Sequence, residues 1–510
     1  MAGIMRKFIF SSILVLFIAS FSVSAQDNPT GNTTSGTEIS AIQSSDIGFG
    51  YNWNGWLHEN DGKKHYLSPA AGALFWDFCI LGFSRYINVQ EWAQITFDDW
   101  KYVWRKDTEW DIDNFQTNLL LHPVQEGMVF LGARASNLNF YEALAYATIN
   151  SFIWEYFGET ELPSRNDFIY SPLGAIAVGE ILHRLSLEAD QFSGLLGLCL
   201  NPARLWSQTF LRQKPQGQLS NVFELGIQFS MGTYSNYKKI LDNTEYRYTQ
   251  IENCPLFASP IAYVTYNDPY GHDSNIPYSQ FELELSVGAS PWDFSYNGFL
   301  QNYSIFSEGV ILSRAPDFGD NIDTTVAFEF VYDFEINDAY LISTCAPGFA
   351  FKQRIRRDNG SKIEWQVHAN GIALGGNDDL YYFRDITKQT ELGIDYHYCF
   401  GAENILKFKY ITENNSNFFF NAHNYAFYDI NNPTYYRLAQ DKFGATREDS
   451  GEGWAFVSLI KVGGEIAITK KVSIGVQDNI YLKRTFLKDQ KDYYQALHQE
   501  SVYFKIYTRK

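Results

Sequence analysis

The sequence of 510 residues has few of the features that mark a helical membrane protein, a disulfide-rich domain or a nucleic-acid-binding protein. Beyond its first residues it contains no run of eighteen apolar residues, so the remainder predicts no transmembrane helix. Five cysteines, an odd number without CxxC spacing, indicate neither a metal site nor a disulfide framework, although one bridge is compatible with an oxidising periplasm. A formal net charge of −18 argues against a nucleic-acid partner.

Catalytic signatures are also scarce. The chain has no GxSxG motif and no HExxH motif, and it shows no internal repeat with a period of about 20 to 50 residues. The sequence therefore indicates no cofactor and no metal, and it leaves open whether the protein is an enzyme.

The one long apolar stretch lies at the N-terminus. Arg6 and Lys7 precede apolar residues 8–19, and a small-residue cleavage site ends at Ala25, so residues 1–25 are predicted to be a signal peptide. The apolar stretch is shorter than the ~20 residues that a bilayer-spanning helix needs. Residues 26–46 are rich in Ser, Thr, Asn and Gly and predict a flexible linker.

From about residue 220 to the end, apolar or aromatic residues alternate with polar or small ones. Because successive side chains of a strand point to opposite faces, each run would show an apolar face to lipid and a polar face to a lumen. We predict a transmembrane antiparallel β-barrel of about twelve strands in residues 219–510, located in the bacterial outer membrane. The clearest alternating runs are 223–231, 281–287, 328–334, 363–368, 392–399 and 502–507.

Aromatic residues make up 17% of the chain, which fits the aromatic girdles of such barrels. The alternative is a soluble β-sandwich or lectin-like protein, whose strands also alternate but are usually shorter. For a barrel in a Gram-negative envelope we expect outer-membrane lipid as a partner and the barrel-assembly machinery during biogenesis. A small solute or a lipid in the lumen is a further expected partner.

Two regions precede the barrel. Residues 47–121 have a mixed period, with a helix predicted over 70–87 and extended segments over 93–103 and 111–121. Residues 122–210 have a helical period. We expect these helices to pack in or under the lumen as a plug, because side chains alone would not fill a barrel of this size. The predicted helices cover 140–157, 173–187 with Pro172 at the start, and 192–206, and residues 213–218 form a linker.

Polar residues are dense in the helical region. Ser151, Glu155 and Glu159 are four residues apart and therefore line one face of a helix. On the next helix, Glu180 lies three residues before His183 and four before Arg184. If the two helices form a hairpin, these two polar stripes can face each other.

The same region carries a set of motif positions, which are His122-Pro123, Gly127, Ala133-Arg134, Asn137, Ser151, Trp154-Glu155-Tyr156, Glu159, Pro163-Ser164, Asn166-Asp167, Pro172, Gly174, Gly179-Glu180 and Arg184-Leu185-Ser186. Together they resemble the bacterial envelope family called domain of unknown function 3943, over roughly residues 90–190. The family has no assigned activity. The resemblance implies a cell-envelope protein and marks these residues as its signature, but it implies no reaction.

Three hypotheses for the polar residues remain open. In the first, they form a buried structural network, because buried charges persist only when they are paired. The residues of this network are Arg134, Asn137, Ser151, Glu155, Glu159, Glu180 and Arg184. In the second hypothesis, the helices form a plug whose polar stripe lines a path for a small solute or a lipid headgroup.

In the third hypothesis, His and carboxylate groups converge as general acid and base, or they hold a divalent metal ion. His122 and His183 are the candidate bases, and the candidate acids or ligands are Glu155, Glu159, Asp167 and Glu180. The sequence favours envelope transport or a structural role with a helical plug. The alternative function is a membrane-embedded hydrolase that modifies a lipid or an envelope polymer.

Overall fold

The computed structural model describes residues 63–101, 103, 107–111, 113–212, 221–241, 246–288, 302–336, 340–378, 396–430, 452–488 and 492–510. The predicted signal peptide, the predicted linkers at 26–46 and 213–218, and the first half of the 392–399 run lie outside the described residues.

The C-terminal part forms a closed antiparallel barrel of twelve strands, which confirms the predicted fold. The first and last strands pair with each other, with Ile227 opposite Ile506, and so complete the ring. The strands are β1 Val222–Leu241, β2 Tyr246–Tyr266, β3 Phe281–Gly288, β4 Asn302–Arg314, β5 Ile322–Ile336, β6 Leu341–Arg356, β7 Lys362–Asn377, β8 His397–Ile411, β9 Asn417–Asp429, β10 Gly453–Thr469, β11 Val472–Leu487 and β12 Tyr493–Arg509.

The alternation along each strand separates two faces. In β3, Glu282 and Glu284 point into the barrel, where they meet lysines of strands on the far side, whereas Phe281 and Leu283 point outward. On β9 to β12 and β1 the outward face is apolar and exposed. Its side chains are Phe418, Trp454, Phe456, Ile466, Ile474, Val476, Phe486, Val502, Phe504, Phe229 and Met231. A closed barrel with an apolar exterior satisfies every backbone group within a bilayer, so the protein is an outer-membrane barrel.

Long charged side chains cross the lumen. Lys407 on β8 reaches across it to Glu282 and Glu308, at 2.8 and 2.7 Å between nitrogen and oxygen. Lys352 on β6 donates to the other oxygen of Glu308 at 2.7 Å, and both Lys352 and Glu308 are fully buried. These ion pairs connect opposite walls of the ring and occlude its interior.

The helices precede the barrel, as predicted. Asn139 caps one of them through a capping box with Glu142, and Asn137 adopts a positive φ of 64° in the turn before it. The helices are α1 Leu67–Tyr86, α2 Phe97–Trp100, α3 His122–Arg134, α4 Phe140–Ile153, α5 Arg165–Asp190, α6 Gly194–Leu200 and α7 Arg204–Phe210, with π-helical turns at Thr117–Leu121 and Trp154–Gly158.

The helical segment packs against the outside of the barrel wall, which differs from its predicted position in or under the lumen. The hydroxyl of outward-facing Tyr332 donates to the carbonyl of Leu119 at 2.7 Å. The rings of Phe115 and Phe334 lie 5.1 Å apart. The outward faces of β2 to β8 thus form one apolar core with the helices. The physical reason is that charged side chains cross the lumen, whereas the outward faces of β2 to β8 offer one continuous apolar surface.

Several element boundaries differ from the sequence prediction. Residues 93–103 and 111–121, expected to be extended, contain α2 and the first π-helical turn. Pro172 lies inside α5 rather than at its start, and the third predicted helix is divided into α6 and α7 at Asn201-Pro202. Pro172 was compatible with a position at the start of a helix or inside one, and the apolar run 192–206 was compatible with one helix or two. The packing of the helices determined both outcomes.

Among the described residues, α1 is the one helix long and apolar enough to cross a membrane by length and composition. Only Pro69, Ala73 and Ser84 of it are buried, and the exposed residues include Leu67, Phe75 and Phe78. The four cysteines whose side chains are described, Cys79, Cys199, Cys345 and Cys399, form no disulfide.

Candidate functional site

Four of the sequence-predicted residues come together where α3, α4 and α5 meet the barrel wall. His122 is the first residue of α3, directly after a π-helical turn. Glu155 lies within the second π-helical turn and Glu159 directly follows it. Asp167 is in the first turn of α5. Such π-helical turns are frequent at functional sites because they redirect side chains.

Two further carboxylates, Asp111 and Asp113, complete this His122 cluster from the segment before α3. Asp111, Asp113 and His122 each offer a ligand atom, and these atoms lie within 4.8 Å of one another. The backbone of Asp111 is held by the side-chain oxygen of Asn166 at 3.0 Å. Asp113 is exposed and His122 is half-buried, so solvent or a ligand can reach the cluster.

Uncharged donors hold the other carboxylates in place. Trp154 donates its indole N–H to Glu159 at 2.6 Å, and the backbone N–H of Ser164 donates to Glu155 at 2.7 Å. Asp167 accepts from the hydroxyl of Ser171 at 3.0 Å. These bonds fix the positions of the carboxylates without neutralising their charge.

Burial and mutual repulsion shift the acid–base equilibria of the cluster. Burial, reinforced by Asp111 and Asp167, raises the pKa of Glu159 to about 8. The pKa of Glu155 is raised well above its ordinary value by burial and by Glu159. Burial alone would lower the pKa of His122, but the charges of Asp167, Glu159 and Asp113 raise it. The cluster therefore favours bound protons or another cation.

Tyr396, directly before β8, and Tyr398 on β8 form the barrel side of the site. Asn118, one turn before His122, donates from Nδ2 to the hydroxyls of Tyr396 and Tyr398 at 3.0 and 2.7 Å. Tyr398 in turn donates to the backbone carbonyl of Asp111 at 3.3 Å. These bonds anchor the segment that carries the carboxylates to the outer wall.

An aromatic surface adjoins the site. Phe168 stacks with both Phe152 and Tyr156, and these two rings are tilted against each other, with ring centroids 4.6 to 5.9 Å apart in the three pairs. Phe168 directly follows Asp167, and Tyr156 directly follows Glu155. Phe152 is 40% exposed. The cluster therefore opens beside an apolar surface on the lipid side of the barrel.

Glu180 and His183 lie elsewhere. They are more than three turns along α5 from Asp167, and both are buried. Glu180 accepts from Arg134 at 2.8 Å and from Arg184 at 3.0 Å, so this Arg134–Glu180–Arg184 triad forms a separate group in which every charge has an opposite charge beside it. The structure does not bring these two candidates to His122.

The remaining residues of the predicted network have individual roles. Asn137 donates to the carbonyl of Lys63 at 2.9 Å in the turn before α4. The hydroxyl of Ser151 donates to the carbonyl of Asp167 at 2.8 Å and so joins α4 to α5. The predicted set therefore divides between the His122 cluster, the triad and a turn.

Sequence reasoning missed the contribution of Asp111 because that segment has no regular period. The Asp-Ile-Asp spacing at 111–113 was the available signal. Reasoning also missed a lumen cluster of Glu308, Glu329 and His368, whose ligand atoms lie within 4.8 Å of one another. An inward histidine is usually solvated, yet His368 is fully buried and bonds Glu329 at 2.6 Å.

Residues 107–196 match the family model of the domain of unknown function DUF3943, which confirms the resemblance seen in the motifs. The match includes every residue of the His122 cluster. No curated protein matches the chain in sequence.

Several solved structures match the barrel. An outer membrane channel from Pseudomonas putida F1 has 9% identity and a TM-score of 0.29, with 56% of this chain and 96% of that chain covered. A FadL homologue from Pseudomonas aeruginosa has 10% identity and a TM-score of 0.20, with coverage of 56% and 90%. The outer membrane protease OmpT from Escherichia coli has 9% identity and a TM-score of 0.20, with coverage of 56% and 97%. Similarities this low carry no argument about function.

Proposed function

We propose that this protein is an outer-membrane hydrolase that acts on a membrane lipid or an envelope polymer at the outer wall of an occluded barrel. The observation that carries the proposal is the His122 cluster, in which one histidine and several carboxylates converge at an accessible opening. Of the residues that the sequence suggested for a hydrolase, His122, Glu155, Glu159 and Asp167 belong to this site, and Glu180 and His183 do not.

The position of the cluster supports a lipid substrate. It lies against Tyr396 and Tyr398, at the end of the barrel where residues 289–301, 378–396 and 430–452 connect the strands. Long connections are typical of the extracellular side, and short turns of the periplasmic side. The cluster and its exposed aromatic residues would then face the outer leaflet at headgroup depth, where aromatic side chains are favoured.

The groups present can perform an ester or phosphoester hydrolysis. The ring of His122 would accept a proton from water while the water oxygen bonds to the carbonyl carbon or phosphorus. The bond to the leaving alcohol oxygen breaks, and a carboxylic acid of Glu159 or Asp167 gives that oxygen its proton. Fixed donors around the carboxylates hold this geometry before substrate binds.

Lipid turnover tests the proposal. Purified full-length protein in detergent is incubated with an outer-membrane lipid extract, and lipid masses are followed by mass spectrometry. The wild type should generate a hydrolysed lipid species. His122→Asn and Glu159→Gln should each reduce the rate roughly 100-fold or more, because a positioned acid or base supplies that much acceleration.

Glu91→Gln is the matched control for Glu159→Gln, because Glu91 is an exposed carboxylate outside the cluster. It should leave the rate unchanged. The proposal is refuted if the wild type alters no lipid, or if His122→Asn is as active as the wild type while its barrel remains folded.

Envelope transport is the second candidate, and a cavity in the lumen favours it. The cavity has a volume of about 470 Å³ and is lined by Asp333, His423 and Lys461 together with aromatic residues such as Phe306 and Tyr340. A small polar solute would fit this space. Passage through the barrel would require the Lys407 ion pairs to separate. The signal peptide and insertion by the barrel-assembly machinery remain predictions that both candidates share.

A further inference from the structure

We infer that Asp111, Asp113 and His122 bind one divalent transition-metal ion, of the class of Zn²⁺ or Mn²⁺. The inference rests on the proposed function for the role of the ion, which would be to activate the attacking water. An imidazole bound to the ion has no free lone pair, so in the metal-loaded protein a carboxylate of the cluster would accept the proton of that water in place of His122. Binding itself is a separate property and can be tested without any substrate. No CxxC or HExxH motif in the sequence marks a metal site, and a divalent metal at the His and carboxylate groups was one of the alternatives that the sequence left open.

The geometry fits a small ion. Ligands bound at about 2.1 Å lie at most ~4.2 Å apart across the metal. The three candidate ligand atoms are already within 4.8 Å of one another. Asp113 is exposed, so its side chain can close the small remaining gap at little cost. One imidazole nitrogen with two carboxylate oxygens is a donor set that suits such ions.

A buried polar group lies beside the proposed site. The side chain of Asn118 is completely buried, and within the part of the chain that the structure describes its Oδ1 has no hydrogen-bond partner. Its Nδ2 contacts the backbone carbonyl of Asp113 at 3.3 Å, which places the amide beside the proposed site. A buried amide oxygen without a donor is costly, and a metal ion or a metal-bound water would satisfy it.

The surrounding charge also favours a cation. Glu155, Glu159 and Asp167 lie close enough to repel one another and their neighbours, and the donors that hold them are neutral. The lumen cluster of Glu308, Glu329 and His368 shows the opposite case. There Lys352 and Lys407 already supply the positive charge at Glu308. The two clusters have similar ligand spacing, but the indole, backbone and hydroxyl groups that donate to Glu159, Glu155 and Asp167 are uncharged.

Metal binding to the full-length protein in detergent tests the inference. The protein is stripped with EDTA, titrated with ZnCl₂ or MnCl₂ by calorimetry, and analysed for bound metal after desalting. We expect one equivalent per chain. Asp113→Asn should weaken binding at least roughly 10-fold, since the loss of a partner that merely orients a ligand already costs that much, and His122→Ala should abolish it.

Two controls keep the test decisive. Glu91→Gln should bind like the wild type, and so should His368→Asn, which alters the lumen cluster instead. Asp113 is exposed, so Asp113→Asn should fold, and its heat-modified gel mobility verifies this. Absence of a bound equivalent in the wild type, or unchanged affinity in folded Asp113→Asn, would overturn the inference.

The outcomes separate this inference from the proposed function. Metal binding without lipid turnover supports the metal site and rejects the hydrolase. Lipid turnover that is unchanged in EDTA-stripped protein supports the hydrolase and rejects the catalytic metal.

Discussion

Buried charges in the helical segment are stabilised in two different ways. In the triad, Glu180 is completely buried between Arg134 and Arg184, so each charge has a partner. In the His122 cluster, carboxylates are held by neutral donors and carry raised pKa values. A buried group of mutually paired charges is typical of a structural role, whereas carboxylates with raised pKa values at an opening are typical of a functional site.

Removing the central charge of the triad should destabilise the protein. Glu180→Gln leaves Arg134 buried without its counter-charge, and we expect a loss of about 3 to 5 kcal/mol in the free energy of unfolding. Chemical unfolding in detergent, followed by circular dichroism, measures this loss. Asp98→Asn is the matched control, because the Asp98–Lys101 pair is exposed and should contribute nothing measurable. Equal stability of Glu180→Gln and wild type would contradict the structural role of the triad.

At the scale of elements, glycines allow α3 and α5 to approach closely. A Cβ atom at Gly179 would lie 2.6 Å from the ring of Phe130, and one at Gly174 would lie 2.6 Å from Pro123. The contact matters for the site, because α3 carries His122 and α5 carries Asp167. Both glycines were among the motif positions of the sequence, and close helix packing explains their presence.

Filling this contact should separate the two helices. We expect Gly179→Ala to destabilise the helical segment by about 1 to 3 kcal/mol, since the added methyl group overpacks the interface. The loss of helical ellipticity on heating measures the effect. Gly132→Ala, on α3, is the control, because its Cβ would meet only Ala203 at 3.8 Å and should leave stability equal or higher. A higher melting point for Gly179→Ala than for wild type would contradict this packing argument.

For the whole molecule, the ion pairs across the lumen determine whether the barrel conducts. Lys407 pairs with Glu282 and Glu308 from the opposite side of the ring, and Lys352 pairs with the same Glu308. The helices lie outside, so they contribute nothing to closing the pore. A protein with this arrangement should be almost non-conducting.

Planar-bilayer recordings can check this arrangement. The wild type should show little conductance, and Lys407→Ala should raise it with a preference for cations, because two carboxylates then face an enlarged, hydrated lumen. Lys461→Ala is the control, since Lys461 makes a longer, more exposed pair with Glu284 at 3.7 Å. A wild type that conducts as an open pore, or a Lys407→Ala variant as closed as wild type, would show that these pairs are not the constriction.

The residue order alone determined the barrel, because period-two alternation assigns every side chain to lipid or lumen before any tertiary contact is known. It also located the family signature and His122, Glu155, Glu159 and Asp167. The folded chain decided which side of the wall receives the helices, since a helix with polar and apolar stripes suits a lumen or an outer surface equally well. It likewise separated Glu180 from His122 and added Asp111, because long-range packing, and not local period, sets those distances.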